Sequence, residues 1–227
     1  MKSTSFLPKP RSFVLRKGRV TNSQRSAIDN YWDDYVVDPE LKLIDFRSLF
    51  NNDNSVVLDI GFGSGETLIH LASTEITKNF LGIEVYLSGV GTVLSRAKQD
   101  NLENIKIINM DAEKVLPINI KKNSLGGILL FYPDPWPKRK HNKRRIIQDP
   151  FLRILQERLK KNTFFYCKTD WKDYALHIVK TFNLLDGWKK ADLKDLDKAY
   201  RDIPPTSYEN KALKAGRKLV DLVYIKT

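Results

Sequence analysis

The chain has 227 residues, 41% of them hydrophobic and 29% charged, enough for one sizeable core and too apolar for a disordered chain. Its 39 Lys and Arg outnumber 27 Asp and Glu, and the net charge of +12 points to a nucleic acid or another polyanion as partner. No signal-peptide core, no apolar run near ~20 residues and a single cysteine, Cys167, argue against export, a membrane span, a disulfide framework and a cysteine-built metal site, and make a cytoplasmic protein the simplest expectation.

Residues 1–30 read as a basic arm that is not necessarily ordered, and 31–227 as one folded domain. Lys2, Lys9, Arg11, Arg16, Lys17, Arg19 and Arg25 fall in the first 28 positions with no acid among them, and Pro8, Pro10 and Gly18 interrupt the pattern. Asp29–Phe50 is expected to hold a turn and a helix, and Asn51–Ser55 a loop. Strands and helices then alternate. Val56–Gly61, Phe80–Glu84, Ile105–Met110, Gly126–Tyr132, Thr163–Thr169 and Lys218–Ile225 read as strands. Glu66–Ser73, Leu87–Asp100, Phe151–Leu159 and Lys172–Phe182 read as helices, the third with Asp149 as its cap and Pro150 at its first position. This order predicts an α/β fold with a mostly parallel sheet, whose ligands bind at the carboxyl ends of the strands.

The first strand runs into LDIGFGSGE (Leu58–Glu66), with Gly61, Gly63 and Gly65 spaced G-x-G-x-G before a helix. Glycines there permit positive φ and bring a ligand against the backbone. The spacing departs from the dinucleotide fingerprint, and Asp59 and Glu66 beside the loop oppose a pyrophosphate but suit a cation. Glu84 ends the second strand roughly 20 residues on, where an acid grips ribose hydroxyls. Asp111 follows the third, placed to accept from an adenine amino group. Acids at successive strand ends describe a site for a nucleoside without phosphates. S-adenosyl-L-methionine, an adenosine with an ammonium and a sulfonium, is such a ligand. The alternative within this fold is a nicotinamide dehydrogenase.

The fourth strand leads into FYPDPWPKRKHNKRR (Phe131–Arg145), which holds Asp134 between two prolines and then places six cations in the eight positions Lys138–Arg145. Fixed φ angles make the loop stiff, so binding costs it little further entropy. A carboxylate with no neighbouring general base suits a nucleophile that needs no deprotonation. Guanine N7 is one, since its lone pair lies in the ring plane and methylation makes the base cationic. A fixed carboxylate stabilises that charge, or orients the base through N1–H and its exocyclic amine. Trp136 is either a platform for a base or a lid packed on the core. His141 is either a phosphate contact or solvated.

On these motifs the chain resembles the bacterial tRNA (guanine-N7-)-methyltransferase family over nearly its whole length. The resemblance also covers RSFVLRKGRVTNSQRSAIDNYW (Arg11–Trp32), GIEV (Gly82–Val85), KTDW (Lys168–Trp171) and PPTSYENKA (Pro204–Ala212). It implies a Rossmann-like class I methyltransferase fold with helices on both faces of the sheet. The implied reaction moves the methyl of S-adenosyl-L-methionine to N7 of guanine 46 in the tRNA variable loop, with no metal. Asp59, Glu84 and Asp111, with Gly61 and Gly63, would bind the cofactor. Asp134 would be the catalytic acid and would also contact the cofactor beside its methyl group. Lys138 and Asp170 would contact substrate, and Thr206, Ser207, Tyr208 and Glu209 would close over the guanine. Lys140, His141, Asn142, Lys143, Arg144 and Arg145 would touch RNA. The chain departs from the family where many relatives have Glu in place of Asp59, and at Ser207, Lys211 and Ala212. Against these roles, Asp170 can be read as the cap of the next helix and Glu209 as a solvated loop acid. Methylation of an exocyclic amine in RNA or of a protein amide, and a non-catalytic RNA-binding relative, remain open at this point.

Overall fold

The computed structural model describes residues 11–14, 19–40 and 42–227, so the expected arm cations Lys2, Lys9, Arg16 and Lys17 lie outside the described residues. Helices α1 (Asn22–Tyr35) and α2 (Phe46–Phe50) precede the alternating body. There follow β1 (Ser55–Ile60), α3 (Glu66–Thr74), β2 (Lys78–Ile83), α4 (Leu87–Gln99), β3 (Ile105–Ile108), α5 (Ala112–Asn119) and β4 (Leu125–Phe131). A 3-10 turn (Arg139–Arg144) leads to α6 (Asp149–Arg158), β5 (Leu159–Thr169), α7 (Lys172–Asn183), β6 (Trp188–Ala191), α8 (Lys198–Arg201), α9 (Ser207–Lys214) and β7 (Val220–Lys226).

Among the described residues one sheet has the order β3-β2-β1-β4-β5-β7-β6. Strands β1 to β5 run parallel, and β7 is antiparallel to both β5 and β6. Strand order reverses between β1 and β4, which opens a crevice at their carboxyl ends. The inner strands are continuously buried because helices cover both faces. Within β1, Leu58 and Ile60 join Val115, Phe151, Leu155 and Ile178 in one apolar cluster. Val57, turned the other way, joins Leu68, Val90, Val93 and Leu94 in a second. Among the described residues no helix is long and apolar enough to cross a membrane.

The expected arm ends earlier than residue 30. Thr21 and Gln24 form a reciprocal capping box that starts α1, and Ala27 and Tyr35 bury on α4. That box and the apolar spacing behind it were masked by the basic composition. Helix α6 is capped by Gln148 rather than by Asp149, which sits in the first turn and pairs with Arg153 at 2.7 Å. Sequence periodicity also missed α5, β6, α8 and α9, all short segments.

The glycine loop after β1 is seated by α4. A Cβ on Gly89 would stand 2.2 Å from the Gly63 carbonyl oxygen. Gly89→Ala should gain up to about 1 kcal/mol of helix propensity and lose about 1–3 kcal/mol to overpacking. A net fall in stability is therefore expected in denaturant unfolding; an unchanged or higher midpoint would show that the loop yields.

Candidate active site

Two adjoining cavities lie at the carboxyl edge of the sheet. The first, about 180 Å³, is floored by Ile60, Ile83, Leu130 and Ile146 and edged by Glu84, Asp111 and Asp134. The second, about 270 Å³, is lined by Asp59, Gly63, Glu66, Thr206 and Tyr208. Gly61, Phe131 and Tyr132 border both. Gly61 and Gly63 sit at φ +69° and +58°, and a Cβ on either would meet open space.

Each expected cofactor acid is held differently. Glu84 accepts from the backbone N–H of Gly63 at 2.9 Å, Val85 at 2.7 Å and Tyr86 at 3.0 Å, so it ties the glycine loop to the end of β2. Burial raises its pKa, and those three N–H groups pull it back only in part. Asp111 caps α5 by accepting from Glu113 N–H at 3.0 Å while edging the first cavity. Asp59 is 3% exposed, and burial, then Glu84, pushes its pKa up to about 7. A carboxylate in that state is a ready partner for an ammonium. An apolar slot with acids on its rim beside a cavity holding such a carboxylate fits a ligand with a nucleoside at one end and an amino acid at the other.

Asp134 is exposed and lines the first cavity. Its loop is held under strain. Tyr132 and Trp136 adopt left-handed φ of 53° and 45°, which for such residues costs on the order of 1–3 kcal/mol each and persists only under firm restraint. The restraints are visible. Tyr132 N–H donates to the Lys168 carbonyl at 2.8 Å. Trp136 Nε1 donates to the Ser12 carbonyl at 2.8 Å. Arg145 Nε donates to the Pro135 carbonyl at 2.9 Å. Trp136 is buried, so the base-platform reading is corrected: the ring anchors the segment Arg11–Val14, whose Ser12 and Phe13 complete the wall of the first cavity.

The basic tract divides by direction. Lys138, Arg139, Lys140 and Lys143 are exposed, and His141 and Asn142 are half-buried. Desolvation, then Lys140 and Arg144, lowers the His141 pKa and favours its neutral form. Arg144 lies 3.6 Å over the Trp136 ring and donates to the Arg11 carbonyl at 3.0 Å. Arg145 is 2% exposed, pairs with Asp173 and lies over Tyr174. The expectation that Arg145 touches RNA is corrected, since its guanidinium is spent on the Asp134 loop.

Helix α9 closes the second cavity. Thr206 caps it in a box with Glu209. Glu209 is 2% exposed and accepts from Tyr132 Oη and Lys168 Nζ, each at 2.7 Å, and from Thr206 N–H at 2.6 Å. Burial raises its pKa, but these donors outweigh it and hold the carboxyl below the usual range. Direct substrate contact by Glu209 is therefore corrected to a positioning role, because both oxygens are engaged inside the protein. Ser207 N–H and Oγ donate to Glu66 at 2.6 and 2.7 Å, joining α9 to the glycine loop's helix. Tyr208 is 43% exposed and lies 4.7 Å from the Tyr132 ring. Asp170 does not cap α7 but pairs with Arg217 at 2.9 Å. Tyr132 and Lys168 lie inside FYPDPW and KTDW, where the prolines and acids are the stronger signal; Arg217 lies in no motif.

A family profile described as "putative methyltransferase" matches residues 53–222. The tRNA (guanine-N(7)-)-methyltransferase of Pectobacterium atrosepticum is 40% identical over 215 residues, 94% of this chain and 90% of its own length. That of Buchnera aphidicola subsp. Schizaphis graminum is 41% identical over 223 residues, 97% of this chain and 92% of its own. Among solved structures, the 16S rRNA methyltransferase KamB aligns with a TM-score of 0.59 at 16% identity, covering 82% of this chain and 95% of its own, a likeness of fold alone. Matched at this level along nearly its whole length, the chain belongs to the tRNA (guanine-N(7)-)-methyltransferase family.

Proposed function

We propose that this protein transfers the methyl group of S-adenosyl-L-methionine to N7 of a guanine in the variable loop of tRNA, in the cytoplasm. One observation carries the reading: Asp134, on a loop pinned from three sides, shares a cavity with Glu84 and Asp111 at the strand-order reversal. Bound there, S-adenosyl-L-methionine supplies an electrophilic methyl group. Asp59 would hold its ammonium, Glu84 and Asp111 its nucleoside, and Gly61 and Gly63 admit it to the backbone. N7 presents its lone pair without losing a proton, so no general base is required of the site. As the N7–carbon bond forms, the carbon–sulfur bond breaks with its electron pair left on sulfur, and the positive charge passes to the purine. The Asp134 carboxylate stabilises that charge and keeps N7 aimed. Lys138, Lys140 and Lys143 attract the phosphates, and Thr206 and Tyr208 border the base.

The reading is tested with unmodified tRNA and labelled cofactor, followed by nucleoside digestion and mass spectrometry. The expected product is 7-methylguanosine; N6-methyladenosine or no labelled nucleoside would refute the acceptor. Asp134→Ala should lower kcat by about 10²–10³-fold while cofactor affinity changes far less.

Cofactor affinity should depend on pH through Asp59. With its pKa at about 7 in the free protein, it is protonated below that value, and pairing with an ammonium must expel the proton. Affinity should thus fall as pH drops below 7, approaching tenfold per unit. Calorimetry across pH 5.5–8 should show this slope in the wild type and lose it in Asp59→Asn; a slope shared by both would move the effect to another group.

Replacing Lys138, Lys140 and Lys143 by Ala should reduce the salt slope of tRNA binding by about three. Arg145→Ala should leave that slope intact and cost about 1–3 kcal/mol of stability, since Asp173 is 67% exposed and rehydrates rather than remaining as a buried charge.

A further inference from the structure

Asp170 directly follows β5, and its side chain is 5% exposed. It stands beside the second cavity. The hydroxyl of Tyr208, which lines that cavity, is 3.4 Å from both Asp170 oxygens. The strong partner is Arg217, whose Nη1 lies 2.9 Å from Oδ2 and whose own side chain is 39% exposed. Its guanidinium is 5.9 Å from the Tyr208 ring. A buried carboxylate, an aromatic ring and a solvent-facing guanidinium are thus gathered where the acceptor base has to enter.

The Watson–Crick edge of guanine is itself a guanidine fragment. N1–H and the C2 amino group are paired N–H donors, spaced like those of an arginine fork. We propose that Arg217 is a placeholder for the guanine edge: it keeps Asp170 paired in the empty enzyme and is displaced when guanine enters. This rests on the reading above that guanine is the acceptor.

The contacts favour the exchange. Among the described residues Arg217 reaches one oxygen of Asp170, and the other meets the long Tyr208 contact. Guanine brings a donor for each oxygen, so a bidentate pair replaces a single one. The outgoing cation is already half in water, where an ion pair is weak and exchangeable. Adenine has one amino donor and an acceptor at N1, which would face the carboxylate lone pairs. It cannot replace the guanidinium, and the pair stays closed. Arg217 is in this sense a positioning residue that sets base specificity through Asp170.

The test uses the full chain as wild type, Arg217→Ala and Arg217→Lys. Each methylates tRNA in the presence of millimolar methylguanidine, with methylammonium as the control at equal ionic strength. In Arg217→Ala the internal competitor is gone, so the KM for tRNA should fall by at least about threefold, the scale of an exposed ion pair being a lower bound for one whose carboxylate is buried. Methylguanidine should then inhibit this variant in competition with tRNA, methylammonium should not, and the wild type should resist both. Arg217→Lys keeps the charge without the fork and should also become sensitive to methylguanidine. Should Arg217→Ala fail to fold, that comparison stands on Arg217→Lys alone. A raised KM, or variants no more sensitive than the wild type, would overturn the proposal and leave Arg217 as an ordinary RNA contact or a structural ion pair. A wild-type product other than 7-methylguanosine, read from the same digests, would instead remove the acceptor assignment on which the proposal rests.

Discussion

Crowding of carboxylates at one edge of the sheet is the constraint that organises this protein. Asp59, Glu84, Asp111 and Asp134 line the two cavities at the strand ends, with Asp170 just after β5 and Glu209 on α9 behind them, in a chain whose net charge is +12. Like charges in a partly dry site destabilise one another unless each finds a donor. The structure answers with a different donor for nearly every acid. Backbone N–H groups take Glu84 and Asp111, a lysine and a tyrosine take Glu209, and an arginine takes Asp170. Asp59, 3% exposed, is the acid whose pKa is pushed up to about 7, by burial and then by Glu84. The protein is therefore built to favour a cation at one place more than at any other along this edge.

The same electrostatic need explains how KRKHNKRR is used. A run of six cations reads as one patch, yet its members part company: Arg139 stays in solvent with the lysines, whereas Arg144 and Arg145 do not. The lysines carry compact, strongly hydrated charges and stay in solvent. Arg144 and Arg145 turn inward because a planar guanidinium can lie on an aromatic ring and still donate to backbone carbonyls. Arg144 covers Trp136, and Arg145 covers Tyr174 and donates to the Pro135 carbonyl, so together they hold the C-terminal flank of the Asp134 loop. Two of the six cations in the apparent binding patch are thus part of the scaffold on which the Asp134 loop depends.

Much of the fold and the acid constellation was legible in the sequence, and the physical reasons are plain. A buried parallel strand such as Gly127–Phe131 is a continuous apolar run, Val56–Ile60 is one but for Asp59, and the glycines at 61 and 63 mark a left-handed turn that few other residues tolerate. Short elements escaped. Helix α5 contains Pro117, and β6 spans only Trp188–Ala191 with two exposed lysines, so neither shows a period. Side-chain direction escaped too. Nothing in the order of residues says that Glu209 points at Lys168 from 41 positions away, that Arg145 meets Asp173, or that Trp136 closes on Ser12 from 124 positions away. Those pairings are set by tertiary geometry, and they decide which members of a motif touch a ligand and which hold the others still.

Range and rigidity divide the labour between the two signs of charge. Surface cations act over about 10 Å at moderate salt, enough to gather an RNA backbone but too loosely to aim one ring nitrogen. Aiming calls for a group whose position is settled before the base arrives. Asp134 meets that demand because two strained neighbours, two prolines and hydrogen bonds to β5, to the segment at Ser12 and to Arg145 leave its backbone little freedom. The strain is tolerable only because it is spread over contacts from separate parts of the chain, so loosening any one of them should blur the aim of the carboxylate before it unfolds the domain. A nucleophile that needs no deprotonation suits such an arrangement, since what the site then has to supply is position and negative potential, and both are properties of the fold rather than of a titrating side chain.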